Sequence, residues 1–201
     1  MKKAILLLSF LTLSFISFAQ ANLQTLIKPG TKLIYSVEAG AQKYDFIVTV
    51  KTIMPAVVFD WEITNDKKSS GTITHTAPAM VSGNAMYNYF SPGAKILDDN
   101  TLSVWISKNT FNSLTKGTRS VMMKMNINEE ARKMGVTEED PAELKITVDG
   151  EKETIEEFMA TDVSGGGADQ TYFTFSTSAK MPVILRMKNE FYIVLKEIKT
   201  K

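Results

Sequence analysis

A long run of alternating apolar and polar residues, from Tyr44 to Ile63, constrains the fold of this chain more than any other feature. The run has two halves, residues 44–51 and 57–63, and a break at Met54-Pro55 separates them. A period of two places successive side chains on opposite faces of a strand, so each half predicts a strand with one buried face. The two halves therefore predict a long antiparallel hairpin.

The predicted hairpin has one apolar face. Its members are Tyr44, Phe46, Val48, Val50, Val57, Phe59, Trp61 and Ile63. A slip of one residue would move this whole set into water, so the pairing register is strongly specified. We expect a strand at residues 32–38 to pair antiparallel with the first half and the C-terminal strand, residues 191–198, to close the same or the facing sheet. Trp61 is then buried.

Short strand-like segments recur at regular spacing along the rest of the chain. One of them, residues 101–107, places Trp105 on the opposite face from its apolar neighbours. Another, residues 144–148, is followed by Asp149-Gly150, which is a strong hairpin signal. About ten short strands with one or two short helices predict a mainly β fold, which is an antiparallel barrel, a half-barrel or a sandwich.

One segment, residues 128–135, carries a full set of helix signals. Asn128 is a good N-cap residue, acidic residues follow it, basic residues come later, and Gly135 is typical of a helix end. We therefore expect a helix there. Residues 109–116 predict a shorter helical turn that ends at Gly117.

The N-terminus has the pattern of a secretory signal peptide. Basic Met1-Lys2-Lys3 precedes an apolar run at residues 4–18, and Ser17-Phe18-Ala19 offers small residues at the cleavage positions. The run is shorter than the roughly 20 residues that a spanning helix needs, which disfavours a membrane anchor. We expect residues 1–19 to be removed, with cleavage after Ala21 as the alternative. Residues 20–201 then form a single β-rich domain that is periplasmic or extracellular, with no membrane span.

Charge and cysteine content disfavour several kinds of partner and chemistry. Without Lys2 and Lys3 the chain has 21 basic residues against 22 acidic ones, and such a balance disfavours nucleic acid as a partner. The chain has no cysteine, which excludes a disulfide framework, a thiol nucleophile and a thiolate metal site. We expect no catalytic residue, no metal and no cofactor.

Three aromatic residues, Tyr87, Tyr89 and Phe90, are the candidate ligand-binding residues. They lie in a segment that Gly83 and Pro92-Gly93 bracket. Aromatic side chains in such a segment stack a sugar or line an apolar cavity. The alternative interpretation is a short core strand.

An exported hydrolase that uses Asp162 or His75 is the competing hypothesis. Asp162-Val163-Ser164-Gly165 is similar to the Asp-Ser/Thr-Gly signature of aspartic peptidases, but Val163 interrupts it and paired-carboxylate chemistry needs a second motif. His75 is the sole histidine and no Gly-x-Ser-x-Gly elbow accompanies it, so a hydrogen-bonded structural role is favoured. The hydrolase requires either residue to lie in a cleft beside another titratable group.

Residues 101–111 resemble a segment of uncharacterised secreted proteins of Gram-negative bacteria, in which a tryptophan strand ending in Ser-Lys precedes a Val-Asp/Asn-Gly hairpin. The later parts of that pattern correspond to residues 147–150 and 182–187. This resemblance covers roughly the C-terminal half, and its motifs are structural. The N-terminal hairpins are more loosely similar to periplasmic half-barrels that include lipoprotein carriers, which implies an apolar groove for a lipid or a partner peptide.

The sequence thus predicts an exported, soluble, non-enzymatic binding or assembly module of the cell envelope. Its alternating aromatic strands predict a β face that holds an apolar ligand or a partner segment. The expected partner is an apolar small molecule, a lipid or an envelope protein.

Overall fold

A computed structural model of the chain describes residues 22–65, 69–136, 138, 140–164, 170–180 and 182–200. Within these residues the protein is mainly β, with a closed barrel and additional strands, which confirms the predicted fold class. The signal peptide predicted at residues 1–19 lies outside the described residues.

The described residues form fourteen strands and three short helices. The strands are β1 (Lys32–Ala39), β2 (Gln42–Thr52), β3 (Val58–Ile63), β4 (Ser69–Thr74), β5 (Ala85–Met86), β6 (Gly93–Ile96), β7 (Thr101–Leu102), β8 (Ser120–Met123), β9 (Arg132–Val136), β10 (Ala142–Val148), β11 (Glu151–Asp162), β12 (Tyr172–Ser176), β13 (Ile184–Lys188) and β14 (Tyr192–Lys199). The helices are α1 (Leu23–Leu26), α2 (Ala77–Ser82) and α3 (Lys108–Thr115). No helix in this part of the chain has the length and apolar character needed to cross a bilayer.

Twelve of the strands belong to one continuous sheet, and five of those close into a barrel. Strands β11 to β14 pair in chain order, and β10 closes the ring by pairing antiparallel with β11 and parallel with β14 through Thr147 and Val148. Because β14 also pairs with β1, the N-terminal strands extend the sheet away from the barrel in the order β1, β2, β3, β4 and β6.

The predicted N-terminal hairpin is confirmed in direction and register. Strands β2 and β3 pair antiparallel, with Val48 opposite Trp61 and Phe46 opposite Ile63. Strand β1 pairs antiparallel with β2, and the C-terminal strand β14 pairs with β1, as predicted. Trp61 is only 1% exposed, so the apolar face of the hairpin is part of the core.

The helix predicted at residues 128–135 is wrong. Residues Arg132–Val136 form strand β9, which pairs antiparallel with β8 and with β11. Met134 and Val136 alternate with Gly135 along this strand and are buried in the second apolar cluster. Long-range pairing and burial therefore outweighed the local capping and charge signals.

The strand predicted at residues 101–107 is also largely wrong, because only Thr101–Leu102 are strand, as β7. Val104 has a φ of 67°, a left-handed conformation that is rare for a β-branched residue and that ends the extended segment. Leu102 and Trp105 are both fully buried. The helical turn predicted at residues 109–116 is confirmed as α3.

A close backbone approach at Gly71 gives the first testable prediction. A Cβ atom at this position would lie 2.2 Å from the carbonyl oxygen of Gly93 and 2.9 Å from Nε1 of Trp61. We expect Gly71→Ala to lower the free energy of unfolding by about 1–3 kcal/mol, because β3, β4 and β6 would have to separate. Urea denaturation measures this loss. Gly117→Ala is the matched control, since its nearest neighbour lies at 3.3 Å, and equal losses in both variants would contradict the clash.

Candidate functional site

An apolar cavity of about 220 Å³ lies between the N-terminal hairpins and residues 88–90. One wall is the inner face of the extended sheet, with Tyr35 and Val37 from β1, Tyr44 and Phe46 from β2 and Ile63 from β3. Side chains on these three strands share a face because cross-strand partners such as Val37 and Tyr44 point the same way. The cavity therefore lies where the alternation predicted core.

The remaining lining residues come from four further stretches of the chain. They are Asn88, Tyr89, Phe90, Ser103, Val104, Ile184, Met187, Phe191 and Ile193. Among the fourteen described residues that line the cavity, six are aromatic and none is Asp, Glu, Lys, Arg or His. The cavity thus has the apolar lining with a few polar groups that is typical of small-molecule sites.

Phe90 anchors the segment of residues 88–90 to the sheet. Its ring centroid lies 4.6 Å from that of Phe46 and 5.1 Å from that of Trp61. Tyr87 packs behind Phe90, with 5.5 Å between the two ring centroids. Tyr87 is buried and does not line the cavity. Lys95 Nζ lies 4.4 Å from the centre of the Tyr87 ring. Of the three candidate residues, Tyr89 and Phe90 line the cavity and Tyr87 supports it from behind.

Hydrogen bonds to β7 and to residues 124–127 fix the position of this segment. The Met86 N–H donates to the Lys124 carbonyl at 2.9 Å, and the Tyr87 N–H donates to the Leu102 carbonyl at 2.7 Å. The Asn88 side-chain amide donates to the Met125 carbonyl and lies 3.7 Å from the sulfur of Met187. The wall that carries Tyr89 and Phe90 is therefore held at a defined distance from the sheet.

Tyr89 marks the mouth of the cavity, because it lines the cavity and is still 49% exposed. Its ring centroid lies 6.4 Å from that of Phe191, and the two rings meet edge to face. Its hydroxyl donates a hydrogen bond to the carboxylate of Glu190, in the turn between β13 and β14. The pKa of Tyr89 is raised to about 12 by this hydrogen bond, by partial burial and by the charges of Glu190 and Glu129. The phenol is therefore protonated at neutral pH and acts as a donor.

Val104, the residue with a φ of 67°, is part of the cavity wall. Its carbonyl accepts a hydrogen bond of 2.7 Å from the Ile184 N–H, and the neighbouring Trp105 bridges to Val183. A non-glycine residue in this region of backbone space costs on the order of 1–3 kcal/mol and is held by its surroundings, often next to a ligand site. The strained turn brings Ser103 and Val104 to face the sheet.

His75 lies in the core. It is fully buried, with its ring 5.6 Å from Phe59 and 5.8 Å from Trp105. Its Nε2 accepts a hydrogen bond of 3.0 Å from the Ser103 N–H, so the proton of the neutral ring is on Nδ1, which has no hydrogen-bond partner among the described residues. Burial lowers the pKa of His75 to about 3. The hydrogen-bonded structural role favoured from the sequence agrees with this position.

Asp162 lies at the end of β11 in an ion pair and a local turn. Its carboxylate is 3.7 Å from Nη1 of Arg132, and it accepts hydrogen bonds from the Ser164 N–H at 2.9 Å and from the Ser164 hydroxyl at 2.5 Å. The Asp-Val-Ser sequence is therefore explained as a local turn that these hydrogen bonds stabilise. Gly165, which completes the signature, lies outside the described residues.

A second concavity, of about 1000 Å³, is larger but differs in chemistry. It lies beside the β10–β11 hairpin and β14, where charged side chains of both signs line it, including Glu143, Lys145, Lys152, Glu156 and Lys196. Such a mixed lining is typical of a solvated outer surface of a hairpin. The smaller apolar cavity is therefore the better candidate for a ligand site.

No family model, no curated protein and no solved structure matches the chain. The resemblance to secreted proteins of Gram-negative bacteria therefore stays a prediction. In the described part of the chain, no three His, Cys, Asp or Glu side chains cluster so that they could hold a metal ion.

Proposed function

We propose that the protein is an exported, non-enzymatic binding module of the cell envelope that holds a small apolar ligand in the cavity between β1–β3 and residues 88–90. The observation that carries this proposal is the lining of the cavity, which combines aromatic and aliphatic side chains with no charged one among the described residues. His75 and Asp162 have structural partners of their own, so neither supports the hydrolase alternative.

The size of the cavity limits the ligand. An engineered protein cavity of about 150 Å³ binds benzene, and pockets for drug-sized ligands start at about 300 Å³. A cavity of about 220 Å³ therefore fits one aromatic ring with a short substituent, or the end of a single acyl chain. A whole lipid is too large, and a partner protein would enter with one apolar side chain.

The aromatic lining favours a ring among these ligands. Tyr89 and Phe191 meet edge to face at one side, and Phe46 and Phe90 lie 4.6 Å apart at the other. Aromatic rings gain about 0.5–1.5 kcal/mol from such offset or edge-to-face contacts, beyond the burial of their area. We therefore expect a ligand with one aromatic ring to bind more tightly than an aliphatic chain of equal volume.

A cavity-filling substitution tests the proposal. Ile193 lies on β14 opposite Val37 of β1, and both line the cavity. We expect Ile193→Phe to weaken the binding of phenethyl alcohol by about tenfold or more, because the larger side chain takes the space of the ligand ring. Isothermal titration calorimetry measures the affinity, and circular dichroism checks that the variant is folded.

The matched control is the same substitution at a site outside the cavity. Ile96 on the edge strand β6 is 73% exposed, so Ile96→Phe should leave the affinity unchanged. Equal affinities of the wild type and Ile193→Phe would show that the alcohol binds elsewhere and would overturn the proposal.

A further inference from the structure

We propose that the cavity takes an aromatic ligand whose polar end is a primary amine, and that the carboxylate of Glu190 receives this amine at the mouth. This inference rests on the proposed function and names its ligand class. A ring that fills the cavity has to leave its polar substituent at the surface, where Tyr89 is half-exposed. The charges at this mouth therefore decide which substituent is accepted.

Acidic groups dominate the mouth. Glu190 is exposed and accepts the hydrogen bond of the Tyr89 hydroxyl, and the charge of Glu129 also acts on Tyr89. Glu129 is already bound to Arg132 at 3.1 Å and to the Asn189 side-chain amide at 2.8 Å. Glu190 is thus the carboxylate that is placed to meet a ligand.

The neighbouring cations are directed elsewhere. Arg132 is paired with Glu129 and with Asp162. Lys188 follows the lining residue Met187 on β13, and successive strand residues point to opposite faces of the sheet. Lys95 lies over the ring of Tyr87, behind Phe90. A ligand carboxylate would therefore meet Glu190 without a cation to neutralise it.

Aromatic rings at the mouth favour the same ligand class. Tyr89 and Phe191 both line the cavity, and Tyr89 binds Glu190, the neighbour of Phe191 in the chain. An ammonium group within about 6 Å of an aromatic ring face is attracted by the negative face of the ring. A carboxylate group is repelled by the same face.

The hydrogen bond from Tyr89 to Glu190 does not have to break when the amine binds. A carboxylate has two oxygens and about four acceptor positions, and Tyr89 uses one of them. The ammonium group brings three donors, so Glu190 can accept from Tyr89 and from the ligand together. A ligand hydroxyl offers one donor and no charge, and a ligand carboxylate offers no donor.

Three ligands that share a phenethyl group and differ in the polar end test this inference. Phenethyl alcohol, phenethylamine and hydrocinnamate are titrated calorimetrically at pH 7 and low salt into the full protein and into Glu190→Gln. Comparing each ligand between the two proteins cancels the different hydration of the three ligands. We expect phenethylamine to lose about fivefold in affinity in Glu190→Gln, the upper range for an exposed ion pair, and phenethyl alcohol to change by less than about twofold.

Two further measurements sharpen the test. Hydrocinnamate should bind Glu190→Gln more tightly than the wild type, since the repulsion is removed. The loss for phenethylamine should shrink at high salt, because an exposed charge pair is screened there. Glu151→Gln, at the β10–β11 turn, is the matched control and should change no affinity.

The outcomes separate this inference from the function on which it rests. If phenethyl alcohol binds but Glu190→Gln leaves the affinity for phenethylamine unchanged, the amine assignment is overturned and the apolar cavity still binds ligands. If none of the three ligands binds the wild type, both the proposed function and the amine assignment fail.

Discussion

Replacing Trp61 by alanine is expected to lower the free energy of unfolding by about 3–5 kcal/mol. Trp61 is 1% exposed, and its ring lies 5.1 Å from Phe90 and 6.4 Å from Phe46. Truncation leaves a hole under β3, and β3 cannot move to close it because it pairs with β2 on one side and β4 on the other. The loss is a large share of the 5–15 kcal/mol or so that stabilises a typical domain.

Equilibrium denaturation by urea measures this loss. Met122→Ala is the control, because Met122 is 51% exposed on β8 and its truncation should cost less than about 0.5 kcal/mol. A loss below about 1 kcal/mol for Trp61→Ala would mean that Trp61 is not part of the core. Because Phe90 packs on Trp61, the same variant should also bind phenethyl alcohol more weakly.

Acid is expected to destabilise the protein through His75. The pKa of this histidine is about 3 in the folded protein against 6.5 for an ordinary histidine, so the unfolded chain takes up the proton first as the pH falls. The contribution of neutral, buried His75 to the free energy of unfolding is therefore fully present above pH 6.5 and is lost as the pH falls towards 3. Each pH unit in this window costs about 1.4 kcal/mol, or roughly 2–3 kcal/mol between pH 6.5 and about pH 4.5.

The variant His75→Gln isolates this contribution from the acidic residues, which titrate in both proteins. Glutamine keeps an acceptor for the Ser103 N–H and does not titrate. Urea denaturation at about pH 7 and about pH 4.5 should show a smaller acid-induced loss for His75→Gln, by roughly 2–3 kcal/mol. If both proteins lose the same stability, His75 is not buried in its neutral form.

The sequence predicted those parts of the fold that depend on local alternation. The register of β2 and β3 follows from one apolar face, and the turn at Asp149-Gly150 follows from residues that adopt positive φ, as both do here. The sequence failed where tertiary pairing competed with local signals. Met134 is buried in strand β9 despite helix-capping residues on both sides, and Val104 breaks a segment that alternates like a strand.

The candidate site could be predicted only in part, for the same reason. The aromatic composition around Tyr89 and Phe90 indicated a binding segment, and both residues line the cavity. The rest of the lining depends on long-range pairs, such as Val37 with Ile193, that no local pattern specifies. Glu190 belongs to a polar turn, and only its hydrogen bond with Tyr89 connects it to the cavity.

Nuclear Overhauser effects between a bound ligand and the protein test the central claim most directly. With phenethyl alcohol bound to isotope-labelled protein, we expect contacts from the ligand ring protons to the methyl groups of Val37, Ile63 and Ile193, which line the cavity from three strands. Contacts confined to exposed methyl groups such as that of Ile96, or no contacts at saturating ligand, would contradict the assignment of this cavity as the binding site.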